Sequence, residues 1–388
     1  MHEAWAKPRT AGKLRLFIEA GDTMTILQIV GQLFAVLIAI AIGAGPASAE
    51  AQVPPLMCRL DPRAAAMPGF TAAEVVDKPA PRYPSDALDD WSEGWVLLEY
   101  EISETGVVRG MRAVDAFGSK DFVASAMRAV SRWRYKPATR NTVPVEQFLA
   151  QSSVLYLFTD SRPEAEHGEF VTKYNRARRH IRDNEFDRAI QTLEKALKGR
   201  LNLYEAAMGS FALALAYAGK ADWPHAVYHI RHATNDLDYL EKQLRVPALA
   251  LQVELEARDG SLLEAMCAFK KLQSADPARA ASDDSVTKMN ARIEAAVTSP
   301  SPLMVDARLI KHPLFDEPAV WRHRLLRSKF SFAEIKGDVT SFRLACVGTA
   351  HEAPVDAETL WDVPAKAGPC ILRVDGAPDA SFKLVETW

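Results

Sequence analysis

Three histidines lie on one predicted helix at a spacing that could direct their imidazoles to a single metal ion. His225, His229 and His232 are four and then three residues apart, so they share one helix face. The small and apolar residues that follow each histidine occupy the predicted buried stripe of this helix. No cysteine or glutamate is near in sequence to complete a site, although Asp222 and Asp236 flank the group. A partly exposed helix face is therefore favoured, and we expect no metal and no other cofactor.

The four cysteines differ in their predicted surroundings. Cys346 and Cys370 each lie in a predicted strand near the C-terminus. In an oxidising compartment we expect them to form a disulfide, worth roughly 3 kcal/mol for a loop of this size. Cys267 lies beside a core position of a predicted helix, which favours a buried free thiol. Cys58 lies in a predicted linker and is not preceded by the small residues of a lipidation signal.

No catalytic motif is recognisable in the chain. It lacks a Gly-rich phosphate loop, a Gly-x-Ser-x-Gly elbow and a Cys-x-x-Cys pair. The acidic pairs at 89–90 and 283–284 fall on predicted solvent-exposed loops or helix starts. A net charge of −3 and a pI near 6.3 give no indication of a nucleic-acid partner. A binding role is favoured over an enzymatic one.

The first 49 residues have the pattern of an export signal. Basic side chains precede an apolar run at residues 26–44, and glycine and proline then favour a helix break. An Ala-Ser-Ala sequence at 47–49 predicts cleavage before Glu50. The alternative is an uncleaved inner-membrane anchor, because the run approaches the ~20 residues that span a bilayer. Both interpretations place the rest of the chain in the periplasm.

The stretch at residues 79–158 has the most specific pattern. A Pro-Arg-Tyr-Pro turn at 81–84 leads a short helix, and Gly106 lies in a tight turn between two strands. In the first of these strands the alternation assigns one uniformly apolar set to the core: Val96, Leu98, Tyr100 and Ile102. An amphipathic helix at 120–133 follows, and one long strand at 143–158 closes the unit.

This order of elements, with Trp133 and Pro137 at the helix end, resembles the C-terminal domain of the TonB family. The resemblance implies a periplasmic binding module, a protein partner, and an outer-membrane receptor peptide as one candidate for it. In that family an extended peptide adds to an open sheet edge. The resemblance places this edge at residues 143–156, with five partner-binding residues: Val145, Gln147, Leu149, Gln151 and Ser153.

Two features leave the role of the edge and of the chain open. The rest of the chain could cover the edge, which is the alternative to peptide binding. The apolar run at 26–44 has no histidine, and the linker at 50–71 is much shorter than the Pro-rich spacer of energy-transducing TonB proteins. A periplasmic scaffold without an energy-transducing role is therefore the alternative to a transport-linked protein.

The predicted fold class is α+β, with several domains. A TonB-C-like domain at 72–160, with a small antiparallel sheet and helices, precedes a helical region at 165–299. There an alanine recurs at Ala189, Ala226 and Ala265, which resembles tetratricopeptide repeats of about 34 residues. An irregular helical bundle is the alternative to such a solenoid. Short strands at 303–388 predict a small antiparallel β domain.

Overall fold

The structure is a computed structural model that describes residues 67–158, 167–364 and 367–388. Its elements form three groups in chain order: a mixed N-terminal group, a helical group and a C-terminal group of strands. The predicted export segment at 1–49, Cys58 and most of the predicted linker at 50–71 lie outside the described residues. Within those residues, no helix has both the length and the apolar character needed to span a membrane.

The N-terminal group consists of β1 (Phe70–Thr71), β2 (Glu74–Asp77), α1 (Ser85–Asp89), β3 (Gly94–Ile102), β4 (Val108–Phe117), α2 (Lys120–Val130), β5 (Arg134–Lys136), β6 (Ala138–Arg140), β7 (Val143–Val145) and β8 (Gln147–Tyr156). It is built around a sheet in the order β4-β3-β8, in which neighbouring strands are antiparallel.

One face of this sheet forms the core of the N-terminal group. The four side chains that the alternation of β3 assigns to the core are all buried: Val96, Leu98, Tyr100 and Ile102. They lie in one cluster with Phe122 and other side chains of α2. The predicted packing of the amphipathic helix on this face is therefore confirmed.

The last strand of the group is broken, whereas the sequence predicts a single strand. β7 ends at Val145 and belongs to a separate sheet in the order β1-β6-β7. β8 begins at Gln147 and contains an extra residue relative to β3, where Leu149 has a φ of 54°. A bulge of this kind bends a strand and interrupts its pairing. The prediction of one continuous edge strand is therefore wrong.

The helical group follows, with α3 (Gly168–Arg182), α4 (Phe186–Leu197), α5 (Leu203–Gly219), α6 (Trp223–Thr234), α7 (Lys242–Arg258), α8 (Leu262–Ala275), α9 (Pro277–Ser282) and α10 (Asp284–Thr298). Consecutive helices from α3 to α8 pack against one another. The recurring alanines, Ala189, Ala226 and Ala265, are fully buried. They allow close approach of neighbouring helices, and assignment to tetratricopeptide repeats stays a prediction.

The C-terminal group consists of the strands β9 (Leu303–Arg308), β10 (Ala319–Arg324), β11 (Lys329–Lys336), β12 (Val339–Cys346), β13 (Thr349–Pro354), β14 (Trp361–Asp362), β15 (Cys370–Gly376) and β16 (Ser381–Thr387). They form two antiparallel four-stranded sheets, in the orders β10-β15-β12-β13 and β14-β11-β16-β9. Phenylalanines from both sheets, Phe332 and Phe342 among them, pack in one shared core.

The cysteines of the described residues are all oxidised. Cys346 on β12 lies directly opposite Cys370 on β15, and a disulfide joins them with a Cα–Cα distance of 4.0 Å. Cys267 on α8 is also disulfide-bonded, so the expectation of a buried free thiol is wrong. The helix position of Cys267 indicates burial, but it carries no information about a bonding partner elsewhere in the chain.

Candidate functional site

The outer side of β8 is open over part of its length. β8 is the end strand of its sheet, so only one of its sides pairs with β3. At its start, the Phe148 N–H donates to the Val347 carbonyl at 3.0 Å, and Leu149 is buried against Ala345. From Ala150 to Tyr156 the outer side makes no backbone hydrogen bond within the described residues. The C-terminal group therefore covers the first part of the edge and leaves the rest available.

Three of the five predicted partner-binding residues lie away from the open part. Val145 belongs to β7, where it pairs with Ala138. The Gln147 side chain is buried, and its Oε1 atom accepts a hydrogen bond from the Ala73 N–H at 2.9 Å. Leu149 packs against the C-terminal group. These residues hold the edge in place within the fold.

The other two predicted residues lie on the open part. Ser153 is exposed, and Leu155 two residues later is 45% exposed. Gln151 is half-buried, and its Nε2 atom donates to Glu99 Oε2 at 3.2 Å. The open segment therefore combines exposed side chains with one polar side chain that is tied to the sheet.

The second face of the sheet is partly covered by the rest of the chain. Glu99 on β3 is paired with Arg322 on β10 at 2.5 Å, and Glu101 is paired with Arg343 on β12. Burial alone would raise the pKa of Glu99, but the Arg322 guanidinium lowers it below its usual value. The ionised pairs fix the C-terminal group to this face.

A buried carboxylate joins the end of β8 to the helical group. Glu93 is 2% exposed, its Oε1 atom accepts from the Phe158 N–H at 3.2 Å, and its Oε2 atom accepts from the Leu203 N–H at 3.0 Å. Leu203 is the first residue of α5, where a helix has unpaired N–H groups and a partial positive charge. A carboxylate is therefore well suited to this position.

A cavity of about 480 Å³ lies between the three groups, next to the open part of β8. Gln151 on β8, Tyr228 on α6 and Trp321 on β10 are among the side chains that line it. Its size lies in the range of small-molecule sites, and its lining mixes aromatic and charged groups. The side chains of an added strand that point toward the second face of the sheet would lie near the cavity.

Asp259 lies in the wall of this cavity, at the C-terminal cap of α7. Burial raises the pKa of Asp259 from 3.8 to about 7, and Glu256 adds to the effect while Arg231 opposes it. The end of a helix also carries a partial negative charge, which disfavours a carboxylate there. The Ser261 hydroxyl donates a hydrogen bond to Oδ2 of Asp259 at 3.2 Å.

The three groups also meet at a cluster of one aspartate and two histidines. Oδ1 of Asp115 on β4 lies 2.8 Å from Nε2 of His232 on α6. The same oxygen lies 3.1 Å from Nε2 of His312, which is between β9 and β10. Burial alone would raise the pKa of Asp115, but the two imidazoles lower it well below its usual range. Asp115 is therefore an ionised acceptor for both rings.

Of the three histidines on α6, His232 reaches this cluster and the other two have different neighbours. His225 lies 3.0 Å from Asp222 and stacks on Tyr217. The ring of His229 also stacks on Tyr217, and burial lowers the pKa of His229 well below the usual value. The sequence pattern that grouped the three histidines did not indicate the partners of His232, which lie in other groups of the fold.

Residues 79–153 match the family model of the Gram-negative bacterial TonB protein C-terminal. A solution NMR structure of the Pseudomonas aeruginosa TonB C-terminal domain is 17% identical and covers 24% of this chain and 91% of that chain. The TM-score of this match is 0.20. The curated proteins contain no match to this chain.

Proposed function

We propose that this chain is a TonB-type protein of the cell envelope that binds an extended peptide along the outer side of β8. The open segment Ala150–Tyr156 is the observation that carries this proposal. It lies at the end of a module whose sequence matches the TonB C-terminal family. Its unpaired N–H and C=O groups offer a template for one more strand.

The proposed binding segment is shorter than the sequence predicts, because the C-terminal group already pairs with the start of β8. The Val347 carbonyl accepts the outward N–H of Phe148, so an added peptide must end before this position. The bulge at Leu149 separates the covered part from the open part. A peptide of about five to seven residues fits the remaining length.

An outer-membrane receptor peptide is the partner that the TonB-type assignment favours, and transport is then the process served. A periplasmic scaffold is the second candidate, and the covered sheet face favours it. The pairs formed by Glu99 and Glu101 tie the module to the C-terminal group. A module fixed in this way acts as part of one larger binding protein.

Site-specific crosslinking in cells tests the proposal. A photo-reactive residue at Ser153 lies on the open segment, and one at Glu358, an exposed position of the C-terminal group, is the control. We expect an adduct with an outer-membrane receptor from position 153 and none from position 358. An adduct with a periplasmic protein unrelated to transport would support the scaffold. Equal adducts from both positions would contradict binding at β8.

A further inference from the structure

The cluster of Asp115, His232 and His312 brings together three donor atoms of the types that bind transition metals. The donor atoms all lie within 4.8 Å of one another. Two imidazole nitrogens and one carboxylate oxygen form a ligand set that Zn²⁺ uses in sites with an open fourth position. Ca²⁺ and Mg²⁺ prefer oxygen ligands, so the set selects against them.

Packing restricts the two rings before any ion binds. The His232 side chain is 7% exposed, and its ring lies 4.3 Å from that of Tyr228. The His312 side chain is 12% exposed and stacks on Phe315 at 3.8 Å. Rigid ligands lose little conformational entropy on binding. Asp115 and His312 also line the central cavity, which leaves room for a water molecule as a fourth ligand.

We propose that Asp115, His232 and His312 bind one divalent transition-metal ion of the zinc type, which joins the three groups of the fold. Each ligand belongs to a different group, so the ion crosslinks the β8-containing sheet, the helical group and the C-terminal strands. The site is separate from the peptide-binding edge, and it does not depend on the proposed function.

Metal binding has a specific consequence at His312. The Leu314 N–H donates to Nδ1 of His312 at 3.2 Å, so Nδ1 is the unprotonated nitrogen and Nε2 carries the proton. A metal at Nε2 requires a lone pair there, and the neutral ring then carries its proton on Nδ1. Binding therefore moves the His312 proton to Nδ1 and breaks the contact with Leu314. The Nε2 proton of His232, which also points to Asp115, must move to Nδ1 of its own ring in the same way. This rearrangement opposes binding and gives it a spectroscopic signature.

The experiment uses the full chain after removal of metals with a chelator. Zinc content after dialysis and zinc titration by calorimetry are compared for wild type, His312→Gln and Asp115→Asn. The matched control is His225→Gln. His225 lies on α6, as His232 does, but it pairs with Asp222 outside the cluster. Circular dichroism confirms that each variant is folded, and the two site variants allow a conclusion if one fails to fold.

We expect one zinc ion per chain in wild type and in the control, and at least tenfold weaker binding in either site variant. Zinc should also raise the Tm of wild type but not of the site variants. Nitrogen NMR of the histidines should show the Nδ1–H form of His312 with zinc. Absence of zinc uptake by folded wild type, or equal uptake by His312→Gln, would overturn the proposal. An Nε2–H form of His312 at saturating zinc would overturn it as well.

Discussion

Replacement of Asp259 by asparagine should stabilise the folded chain increasingly as the pH rises. Burial raises the pKa of this carboxyl to about 7 in the fold, against 3.8 for the unperturbed group. Below pH 3.8 both states hold the proton, and the carboxyl does not penalise folding. Between about pH 4 and pH 7 the unfolded chain releases its proton first, so the stability of wild type falls as the pH rises. Asparagine has no proton to release and should remove this dependence.

The magnitude follows from the two pKa values. Full ionisation in the folded state costs roughly 4 kcal/mol relative to the unfolded state, and about 2 to 3 kcal/mol of this falls between pH 5 and pH 8. Asp259 lines a cavity that can admit water, which reduces the penalty. We therefore expect the difference in unfolding free energy between Asp259→Asn and wild type to grow by roughly 2 kcal/mol from pH 5 to pH 8.

Urea denaturation at several pH values measures this difference directly. The matched control is Asp183→Asn, because Asp183 is also the C-terminal cap of a helix but is exposed. The control should change the unfolding free energy by nearly the same amount at every pH. A constant difference for Asp259→Asn across the pH range would refute the burial of an unfavourable carboxylate at this position.

Further predictions concern the Glu93 contact between two groups and the disulfides. Glu93→Gln should lower the unfolding free energy by roughly 1 to 3 kcal/mol, because one amide oxygen cannot accept both buried N–H groups; an unchanged urea midpoint would contradict this. Non-reducing peptide mapping should recover a Cys346–Cys370 peptide, and its reduction should cost roughly 3 kcal/mol. The same mapping should find Cys267 oxidised, and its recovery as a free thiol would contradict the disulfide that this residue forms.

The sequence was sufficient for local features and for the core of the N-terminal group. Alternation along β3 identifies the buried set, since a side chain's face in a strand depends only on its position. The same alternation could not reveal that the other face is also covered. Glu99 and Arg322 are 223 positions apart, and no local pattern connects them. The expected partner-binding residues are spread over two sheets because the chain leaves one sheet at Val145 and enters the other at Gln147, a change that no local pattern indicates.

The cluster that we propose as a metal site also could not be predicted from local sequence patterns. His232 was found through its spacing from two other histidines, which is a property of one helix. Asp115 is 117 positions from His232 and 197 positions from His312, so the cluster depends on how three groups pack together. A resemblance that covers one of these groups cannot predict such a contact.

The binding of a peptide to the outer side of β8 is tested most directly by proline substitution on the open segment. Neighbouring residues of a strand direct their N–H groups to opposite sides, so of Ser152 and Ser153 one faces outward and the other donates to β3. Proline at the outward position removes a donor to the peptide while the sheet stays intact. Alanine at the same position keeps the N–H group and serves as the control.

The measurement is the Kd, by fluorescence anisotropy, of a labelled peptide with the sequence of the segment crosslinked from position 153. Circular dichroism identifies which proline variant retains the fold. We predict that this variant binds roughly tenfold more weakly than wild type and that its alanine counterpart binds nearly as well as wild type. Equal affinity of the folded proline variant and wild type would contradict strand addition at β8. Equal loss with alanine and proline would show that side chains, and not the backbone of this strand, recognise the partner.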